Sequence, residues 1–292
     1  MKPRSIAVLG GDARQGYAAA ALAAAGHRVT CFGVPPPEGT VVQTIQHAAA
    51  LAGALAAAEL VLCPVPCARD GVHLTHLEGG EKIPLAVLGD LLRPGQFLLA
   101  GDLPDTLRAS CAARKIPAFA LLQRDDFATR NALPTAEAVT ALAMLRGAGN
   151  LARSECLVLG YGRCGSAIAD VLLRLRARVT VALRSRAAAC AALSAGCNAV
   201  ALELLRAELP RFDFVFNTIP ALVLDETALR LLQNSVVLLD IANAPGGIDF
   251  GAAARLGLCA ELLPGLPGKY APRAAGEAIA RTVETVLAEE AL

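Results

Sequence analysis

A glycine-rich turn between an apolar run and a helix constrains the fold of this chain more than any other feature. After the apolar run 156–159, residues 160–165 read Gly-Tyr-Gly-Arg-Cys-Gly, the G-x-G-x-x-G pattern. In such a turn the first glycine allows a tight bend, the second lets the backbone approach a pyrophosphate, and the third lets the helix pack on the strand. The sequence therefore predicts a dinucleotide on the N–H groups of this helix N-terminus. The residues assigned to it are Gly160, Gly162, Arg163, Cys164 and Gly165. The alternative is a helix-capping glycine cluster beside solvated arginines.

The end of the next apolar run, 179–183, indicates which dinucleotide binds. An NAD site places an Asp or Glu about 20 residues after the glycines, where it holds the ribose 2′-OH. This chain has Arg184, Ser185 and Arg186 there, and the only acid between the turn and Arg186 is Asp170, inside the helix. Two cations and a hydroxyl suit a 2′-phosphate, so we predict NADP, with NAD as the alternative.

The composition excludes several classes of protein. Of the 292 residues, 55% are apolar, but many of these are alanine, and the net charge is +1. The longest stretch without a charge, 39–58, predicts a buried or amphipathic helix, because a membrane span needs about 20 strongly apolar residues. There are no basic runs and no aromatic platforms, so we expect no nucleic-acid partner. Because no signal peptide precedes the first apolar run, 6–9, we expect a cytoplasmic protein.

The nine cysteines are scattered without the paired spacing of a disulfide framework or a metal knuckle. We therefore expect reduced thiols and no metal site. The thiol of Cys164 lies near a helix N-terminus that would lower its pKa, but a small residue filling a tight turn is the preferred interpretation.

Apolar runs alternate with helical stretches in both halves of the chain, which indicates parallel sheets with crossover helices. The predicted strands are 6–9, 29–32, 60–63, 97–100 and 118–121 in the first half and 156–159, 179–183, 212–217, 236–240 and 258–262 in the second. The predicted fold class is α/β, with two doubly wound parallel-sheet domains joined by long helices, the second a Rossmann NAD(P)-binding domain. The predicted divisions are an N-terminal substrate domain (1–130), an interdomain helix (131–149), the dinucleotide-binding domain (150–272) and a C-terminal helix (273–292) that returns to the N-terminal domain.

The interdomain helix is predicted from its end signals. Pro134 marks its start, Thr135 is a suitable N-cap, and Gly147 and Gly149 mark its end. This would place a helix N-terminus near the ligand.

Ligands of open α/β sheets bind beyond the carboxyl ends of the strands. The loops expected there are rich in glycine, proline and polar residues, and they are 10–15, 64–66, 101–102, 217–221, 240–250 and 264–272. From these loops we add Thr218, Ile219, Pro220 and Asp240 to the cofactor site. Asp240 either orients the nicotinamide side or only caps a turn.

Several distinctive strings run along almost the whole chain. They are Gly-Gly-Asp-Ala-Arg-Gln at 10–15, Arg-Asp-Asp at 124–126, Pro-Thr-Ala-Glu at 134–137, Gly-Tyr-Gly-Arg at 160–163, Phe-Asn-Thr-Ile-Pro-Ala-Leu-Val at 216–223, Pro-Gly-Gly-Ile-Asp-Phe at 245–250 and Pro-Gly-Leu-Pro-Gly-Lys at 264–269. Taken together, these strings resemble the family of the A subunit of dipicolinate synthase. One departure is Gly16-Tyr17, where relatives more often carry bulkier residues.

The resemblance implies a two-domain fold like that of formate/glycerate-type dehydrogenases and adenosylhomocysteine hydrolases. It also implies an NAD(P)-dependent oxidation that yields pyridine-2,6-dicarboxylate from a hydroxytetrahydro- or dihydrodipicolinate. A flavoprotein-like B subunit is the implied partner and sporulation the implied setting. The chain by itself leaves open whether it also forms a homo-oligomer.

A small dianionic substrate requires cations or helix N-termini. The candidate substrate-binding residues are Gly11, Arg14, Asn131, Thr135 and Lys269. One group must take a ring proton, and the unranked candidates are Glu137, Lys269 and Asp12. Each has a structural alternative: Glu137 as a capping partner of Thr135, Lys269 as a surface charge, and Asp12 as the cap of the first helix.

Three other functions compete with this interpretation. A 2-hydroxyacid dehydrogenase uses a histidine in its cofactor domain, whereas all four histidines here fall within the first 76 residues. A methylenetetrahydrofolate dehydrogenase-like enzyme would carry a lysine signature in the first domain, which is not visible. A subunit that binds NADP without turnover is the third alternative.

Overall fold

The computed structural model describes residues 2–37, 45–75, 80–147 and 149–290. The chain separates into two compact units, of which unit 1 comprises Met1–Asn131 and Ala271–Leu292 and unit 2 comprises Ala132–Tyr270. Each unit contains a six-stranded sheet. All strand pairs within the two sheets are parallel, which confirms the predicted fold class.

The sheet of unit 1 has the order β3-β2-β1-β4-β5-β6. Successive strands are added in one direction from β1 to β3 and in the other direction from β4 to β6, so the strand order reverses between β1 and β4. Open α/β sheets bind ligands at such a reversal. The elements are β1 (Ser5–Leu9), α1 (Ala13–Ala24), β2 (Arg28–Phe32), β3 (Gln46–His47), α2 (Leu51–Leu55), β4 (Leu60–Leu62), α3 (Leu85–Leu91), β5 (Phe97–Ala100), α4 (Asp105–Arg114) and β6 (Ala118–Ala120).

The helix predicted over 39–58 is largely wrong. Only Leu51–Leu55 is helical, Gln46–His47 forms the edge strand β3, and 39–44 lie outside the described residues. Gln46 and His47 pair with Thr30 and Cys31 of β2, so cross-strand hydrogen bonds override the helix propensity of this alanine-rich segment.

One long helix, α5 (Asp125–Arg146), begins in unit 1 and continues past Asn131 into unit 2. Its predicted start at Pro134 with Thr135 as N-cap is wrong, because Pro134 lies inside the helix. Two acids, Asp125 and Asp126, occupy the first turn, where the helix dipole favours negative charge. The local signal of a proline at a helix start was therefore misleading, and the helix begins nine residues before Pro134.

Unit 2 has the strand order β12-β11-β10-β7-β8-β9. Counted from β7, this is the 3-2-1-4-5-6 order of the dinucleotide-binding fold, read from the other edge. The elements are β7 (Glu155–Leu159), α6 (Arg163–Arg174), β8 (Arg178–Leu183), α7 (Arg186–Ser194), β9 (Asn198–Ala201), α8 (Leu205–Glu208), β10 (Phe214–Asn217), α9 (Glu226–Leu229), β11 (Val237–Asp240), α10 (Phe250–Arg255), β12 (Cys259–Leu262) and α11 (Leu266–Tyr270).

The last helix, α12 (Pro272–Glu289), belongs to unit 1 and packs against α1. The packing is close because Gly276 has no side chain: a Cβ there would lie 2.6 Å from the Cβ of Tyr17. The buried His27 joins α12 to the start of β2 through a 2.8 Å contact between its Nε2 and the Oε1 of Glu284. Among the described residues, no helix combines the length and the apolar character that crossing a membrane requires.

Candidate functional site

The three glycines of the turn between β7 and α6 have distinct steric environments. Gly160 has a φ of +90°, and a Cβ there would lie 2.6 Å from the Thr218 Oγ1. A Cβ on Gly165 would lie far inside van der Waals contact with the carbonyl oxygen of Gly160. Gly162, the N-cap of α6, differs because a Cβ there would meet nothing within 4 Å. The first and third glycines therefore serve packing, and the second leaves open space before a helix N-terminus.

This open space fits a dinucleotide pyrophosphate. The N-terminus of a helix presents unpaired N–H groups and the positive end of its dipole, and α6 has no acid in its first turn. A ligand backbone or phosphate can approach at Gly162 because no side chain occupies that position.

Two arginines lie at the end of β8, where the chain turns into α7. Arg184 and Arg186 are both exposed, and within the described residues neither forms an ion pair with an acid. Between them, Ser185 is the N-cap of α7, and its Oγ accepts a 3.3 Å hydrogen bond from the Ala188 N–H. The two guanidinium groups are thus available for an anionic ligand.

The thiol of Cys164 does not have a lowered pKa. Burial raises the pKa of this thiol above its ordinary value, and the nearby charge of Arg163 offsets only part of the effect. The interpretation of Cys164 as a small residue that fills the turn therefore agrees with its environment.

Asp240 is buried at the end of β11 and holds two neighbouring loops. Its Oδ1 accepts hydrogen bonds from the Asn217 Nδ2 (2.9 Å) and the Ala242 N–H (2.9 Å), and its Oδ2 accepts one from the Gly247 N–H (2.7 Å). Both Asn217 and Asp240 are 0% exposed. The carboxylate therefore shapes the loops after β10 and β11 rather than facing a ligand directly.

Asn217 extends this network to the loop that carries Thr218, Ile219 and Pro220. Its Nδ2 donates to the Ile219 carbonyl oxygen at 3.0 Å, and its Oδ1 accepts from the Ile219 N–H at 3.1 Å. The Thr218 Oγ1 donates to the Leu159 carbonyl oxygen at 2.8 Å, beside Gly160. Sequence reasoning missed Asn217, although its position at the end of a predicted strand was the available signal.

The first glycine turn of unit 1 lies between β1 and α1. Gly10 and Gly11 have φ values of +50° and +91°, which L side chains rarely adopt. Asp12 is the N-cap of α1, as its structural alternative predicted. This turn lies at the strand-order reversal, the expected ligand position in such a sheet.

Asp12 and Arg14 bind each other. Arg14 donates from Nε to the Asp12 Oδ1 and from Nη2 to the Asp12 Oδ2, each at 2.8 Å, and Nη2 also donates to the Val65 carbonyl oxygen. Burial alone would raise the pKa of the Asp12 carboxyl, but hydrogen bonds from Arg14 and the charges of Arg14 and Arg69 hold it below its ordinary value. Because Arg14 is only 5% exposed and binds Asp12 and Val65, its guanidinium mainly stabilises the loops around it and has little surface left for a ligand.

Arg69 is the cation beside this pair that sequence reasoning missed. It is exposed and lies close enough to Asp12 to lower the pKa of that carboxyl. Within the described ranges no acid forms an ion pair with it. Its backbone N–H donates to the Thr75 Oγ1 at 3.0 Å, and the Gly11 N–H donates to the Thr75 carbonyl oxygen at 2.9 Å, so Arg69 is held beside the Gly11 turn.

The remaining candidates lie on helices. Asn131, Thr135 and Glu137 are all inside α5, so the helix N-terminus predicted to bind a carboxylate there does not exist. Thr135 is buried and Glu137 is exposed. Lys269 is an exposed residue of α11 in unit 2.

The strand order of unit 2 and its glycine turn are those of the Rossmann dinucleotide-binding fold. A solved transhydrogenase structure from Sinorhizobium meliloti has the same fold, with a TM-score of 0.68 and 17% identity over 97% of this chain and 94% of that chain.

Closer similarities are to the A subunit of dipicolinate synthase. Residues 5–122 match the family model of the N-terminal domain of the dipicolinate synthase A subunit. The A subunit of dipicolinate synthase from Bacillus subtilis is 36% identical over 181 residues, which span 62% of this chain and 60% of that relative, less than two thirds of its length. The solved structure of the dipicolinate synthase A chain from Bacillus subtilis has a TM-score of 0.88 at 28% identity, covering 99% of this chain and 97% of that chain. The chain is thus similar to dipicolinate synthase A subunits over nearly its whole length, which confirms the predicted resemblance.

Proposed function

We propose that this chain is the NADP-dependent oxidoreductase subunit that forms dipicolinate from hydroxytetrahydrodipicolinate or dihydrodipicolinate. The observation that carries the proposal is the open N-terminus of α6 at Gly162, together with two arginines at the end of β8 that pair with no acid among the described residues. The family supplies the class of substrate, since no described side chain by itself names a pyridine dicarboxylate.

Each unit has a separate role in the proposal. Unit 2 binds the pyrophosphate over Gly162 and the 2′-phosphate between Arg184 and Arg186. Unit 1 binds the dianion at the carboxyl ends of its strands, beside the Gly10–Gly11 turn. Arg69 supplies the cation there, because Arg14 is engaged by Asp12 and Val65. Asn131, Thr135 and Lys269 stay weaker candidates, since none of them lies at a free helix N-terminus.

The reaction removes two hydrogens from a dihydropyridine ring. One ring C–H bond breaks and its hydride goes to the nicotinamide, which is the chemistry that NADP supplies when bound. A second ring hydrogen leaves as a proton, and its bonding electrons complete the aromatic ring. Starting from the hydroxytetrahydro compound, loss of water precedes this step. The residues of this chain have to orient the ring, neutralise the negative charge of its two carboxylates and accept one proton.

The test of this function is turnover. The purified chain, alone and with its B subunit, is mixed with NADP and enzymatically generated hydroxytetrahydrodipicolinate, and NADPH absorbance and dipicolinate are followed. NADPH and dipicolinate appearing in equal amounts is the expected result. If neither product forms with or without the partner although NADP binds, the chain is a non-catalytic NADP-binding subunit.

The two arginines carry the prediction of NADP over NAD. Replacing Arg184 with alanine removes a cation facing the 2′-phosphate, so we expect NADP affinity to fall about 10-fold or more, or about 1.4 kcal/mol, while NAD affinity changes little. Isothermal titration with both dinucleotides measures this. Arg174→Ala is the matched control, because Arg174 on α6 is exposed and pairs with Asp170. A wild type that prefers NAD, or equal losses for both dinucleotides, would contradict the assignment.

The partner and setting follow from the family and from the thiols. A family of A subunits implies a partner chain, and we propose the flavoprotein-like B subunit in this role, with sporulation as the context. All nine cysteines are free. Free thiols in this number are typical of a reducing compartment, which supports the cytoplasm.

The hydroxyacid dehydrogenase alternative lacks its histidine. Residues 132–270 contain none, so unit 2 has no imidazole to act as its acid or base.

A further inference from the structure

A short loop after β4 connects the Asp12–Arg14 pair to a third residue, Asp102. The loop, 64–67, is held from one side by Arg14, whose Nη2 donates to the Val65 carbonyl oxygen. From the other side the Gly101 N–H donates to the Pro64 carbonyl oxygen at 2.9 Å, and the Asp102 Oδ1 accepts from the Cys67 N–H at 2.6 Å. Gly101 permits this approach, since a Cβ there would lie 2.6 Å from the Val65 Cα.

These contacts place Asp102 at the ligand end of unit 1. The loops after β1, β4 and β5 belong to neighbouring strands in the order β1-β4-β5, next to the strand-order reversal. A hydrogen-bond chain also joins the Gly11 turn to this loop, because the Gly11 N–H donates to the Thr75 carbonyl oxygen and the Thr75 N–H donates to the Cys67 carbonyl oxygen. Asp102 therefore lies at the same edge of the sheet as the turn at which a dianion is expected, and the loop after β4 links the two.

The carboxylate of Asp102 is held by a hydrogen bond to one oxygen, and its other oxygen accepts none from the described residues. The Cys67 N–H binds Oδ1, and in the described part of the chain no donor reaches Oδ2. The side chain is partly buried. The pKa of the nearby Cys63 thiol is raised mainly by its hydrogen bond with Cys67 and by burial, and the charge of Asp102 is the smallest cause, after those of Cys67 and Cys111. A carboxylate that is held by one oxygen and free at the other is able to accept a proton from a bound ligand.

The other acid candidates lack this combination. Both oxygens of Asp12 are engaged by Arg14, which stabilises the charged form and makes the carboxylate a weaker base. Glu137 is an exposed residue in the interior of α5. Neither is both oriented by the backbone and open at one oxygen in the way Asp102 is.

We propose that Asp102 is the catalytic base that takes the ring proton during aromatisation, an inference that rests on the proposed oxidoreductase function. As the hydride leaves one ring carbon for the nicotinamide, a second ring C–H or N–H bond breaks, and its electron pair joins the ring. The proton forms an O–H bond with Oδ2 of Asp102, which later releases it to water. The products are dipicolinate, NADPH and one proton, so atoms and electrons balance.

The test is Asp102→Asn, with Asp105→Asn as the matched control. Asparagine retains an oxygen that accepts from the Cys67 N–H but removes the basic oxygen. We expect kcat to fall about 10²- to 10⁴-fold, while NADP and dipicolinate affinities and the melting temperature stay unchanged. Asp105 is an exposed first-turn residue of α4, and its variant should keep full activity.

A pH profile separates a base from a structural role. In the wild type, kcat/KM should decline at low pH as the base becomes protonated, and this limb should disappear in Asp102→Asn. Wild-type-like turnover in Asp102→Asn overturns the proposal, and so does a loss of dipicolinate affinity parallel to kcat with the limb retained. A wild type that forms no NADPH with its partner instead refutes the proposed function, on which this inference depends.

Discussion

Replacing Gly165 with alanine should destabilise unit 2, whereas replacing Gly162 with alanine should weaken NADP binding and leave the fold intact. The added methyl group at position 165 meets the Gly160 carbonyl oxygen, which is backbone and cannot move aside by changing rotamer. Forcing atoms into a packed interior costs about 1–3 kcal/mol or more. At Gly162 the methyl group meets no protein atom within 4 Å, and the backbone φ of −83° suits alanine. It would instead occupy the space that we propose for the pyrophosphate.

Two measurements on the same pair of variants test this. Denaturant unfolding should show a lower midpoint for Gly165→Ala and an unchanged midpoint for Gly162→Ala. Titration with NADPH should show at least about a tenfold loss of affinity for Gly162→Ala. Full NADPH affinity in Gly162→Ala would mean that the dinucleotide does not pass over this glycine, and the turn would then be a helix cap only.

Replacing Asp240 with alanine should strongly destabilise unit 2. It leaves three buried donors without their acceptor: the Asn217 Nδ2 and the N–H groups of Ala242 and Gly247. An unsatisfied buried donor costs about 1–3 kcal/mol, so the free energy of unfolding should fall by at least about 3 kcal/mol. Denaturant unfolding measures the change.

The matched control is Asp225→Ala. Asp225 caps the short helix α9 through the Ala228 N–H and pairs with Arg206 at the surface, so its loss should cost only about 1 kcal/mol. Asp240→Asn should lie between wild type and Asp240→Ala, because the amide keeps one acceptor but places an NH2 group against a donor. Equal losses in the two alanine variants would show that the buried network adds nothing beyond an ordinary cap.

The sequence predicted strands where burial leaves a strong pattern. All ten predicted strands coincide with observed ones, and each of these carries a run of mostly apolar residues. The two missed strands, Gln46–His47 and Asn198–Ala201, are the outer β3 and β9, which have polar or small residues. An edge strand is formed by hydrogen bonds to one neighbour, and its side chains show little of the apolar pattern of a central strand.

Some residues of the candidate site could likewise be interpreted from the local sequence, and others could not. The environments of Gly160, Gly162 and Gly165 agree with the roles that the motif predicts, because these roles depend on φ angles and on backbone approaches within a short segment. Thr135 shows the opposite, since the proline before it is a common start signal but α5 runs through it. Tertiary packing tolerated a proline that a local rule treats as a boundary.

The sequence by itself determined the α/β class, the glycine turn and the two arginines after β8, since each depends on a pattern of residues that are close together in the chain. Only the tertiary structure decided which charged groups are engaged and which are free. Arg14 is bound by Asp12 nearby and by Val65 of a distant loop, and Asp102 is oriented by Cys67, 35 residues away in the chain. Whether a carboxylate can act as a base depends on such partners, and they are brought together only when the strands assemble into the sheet.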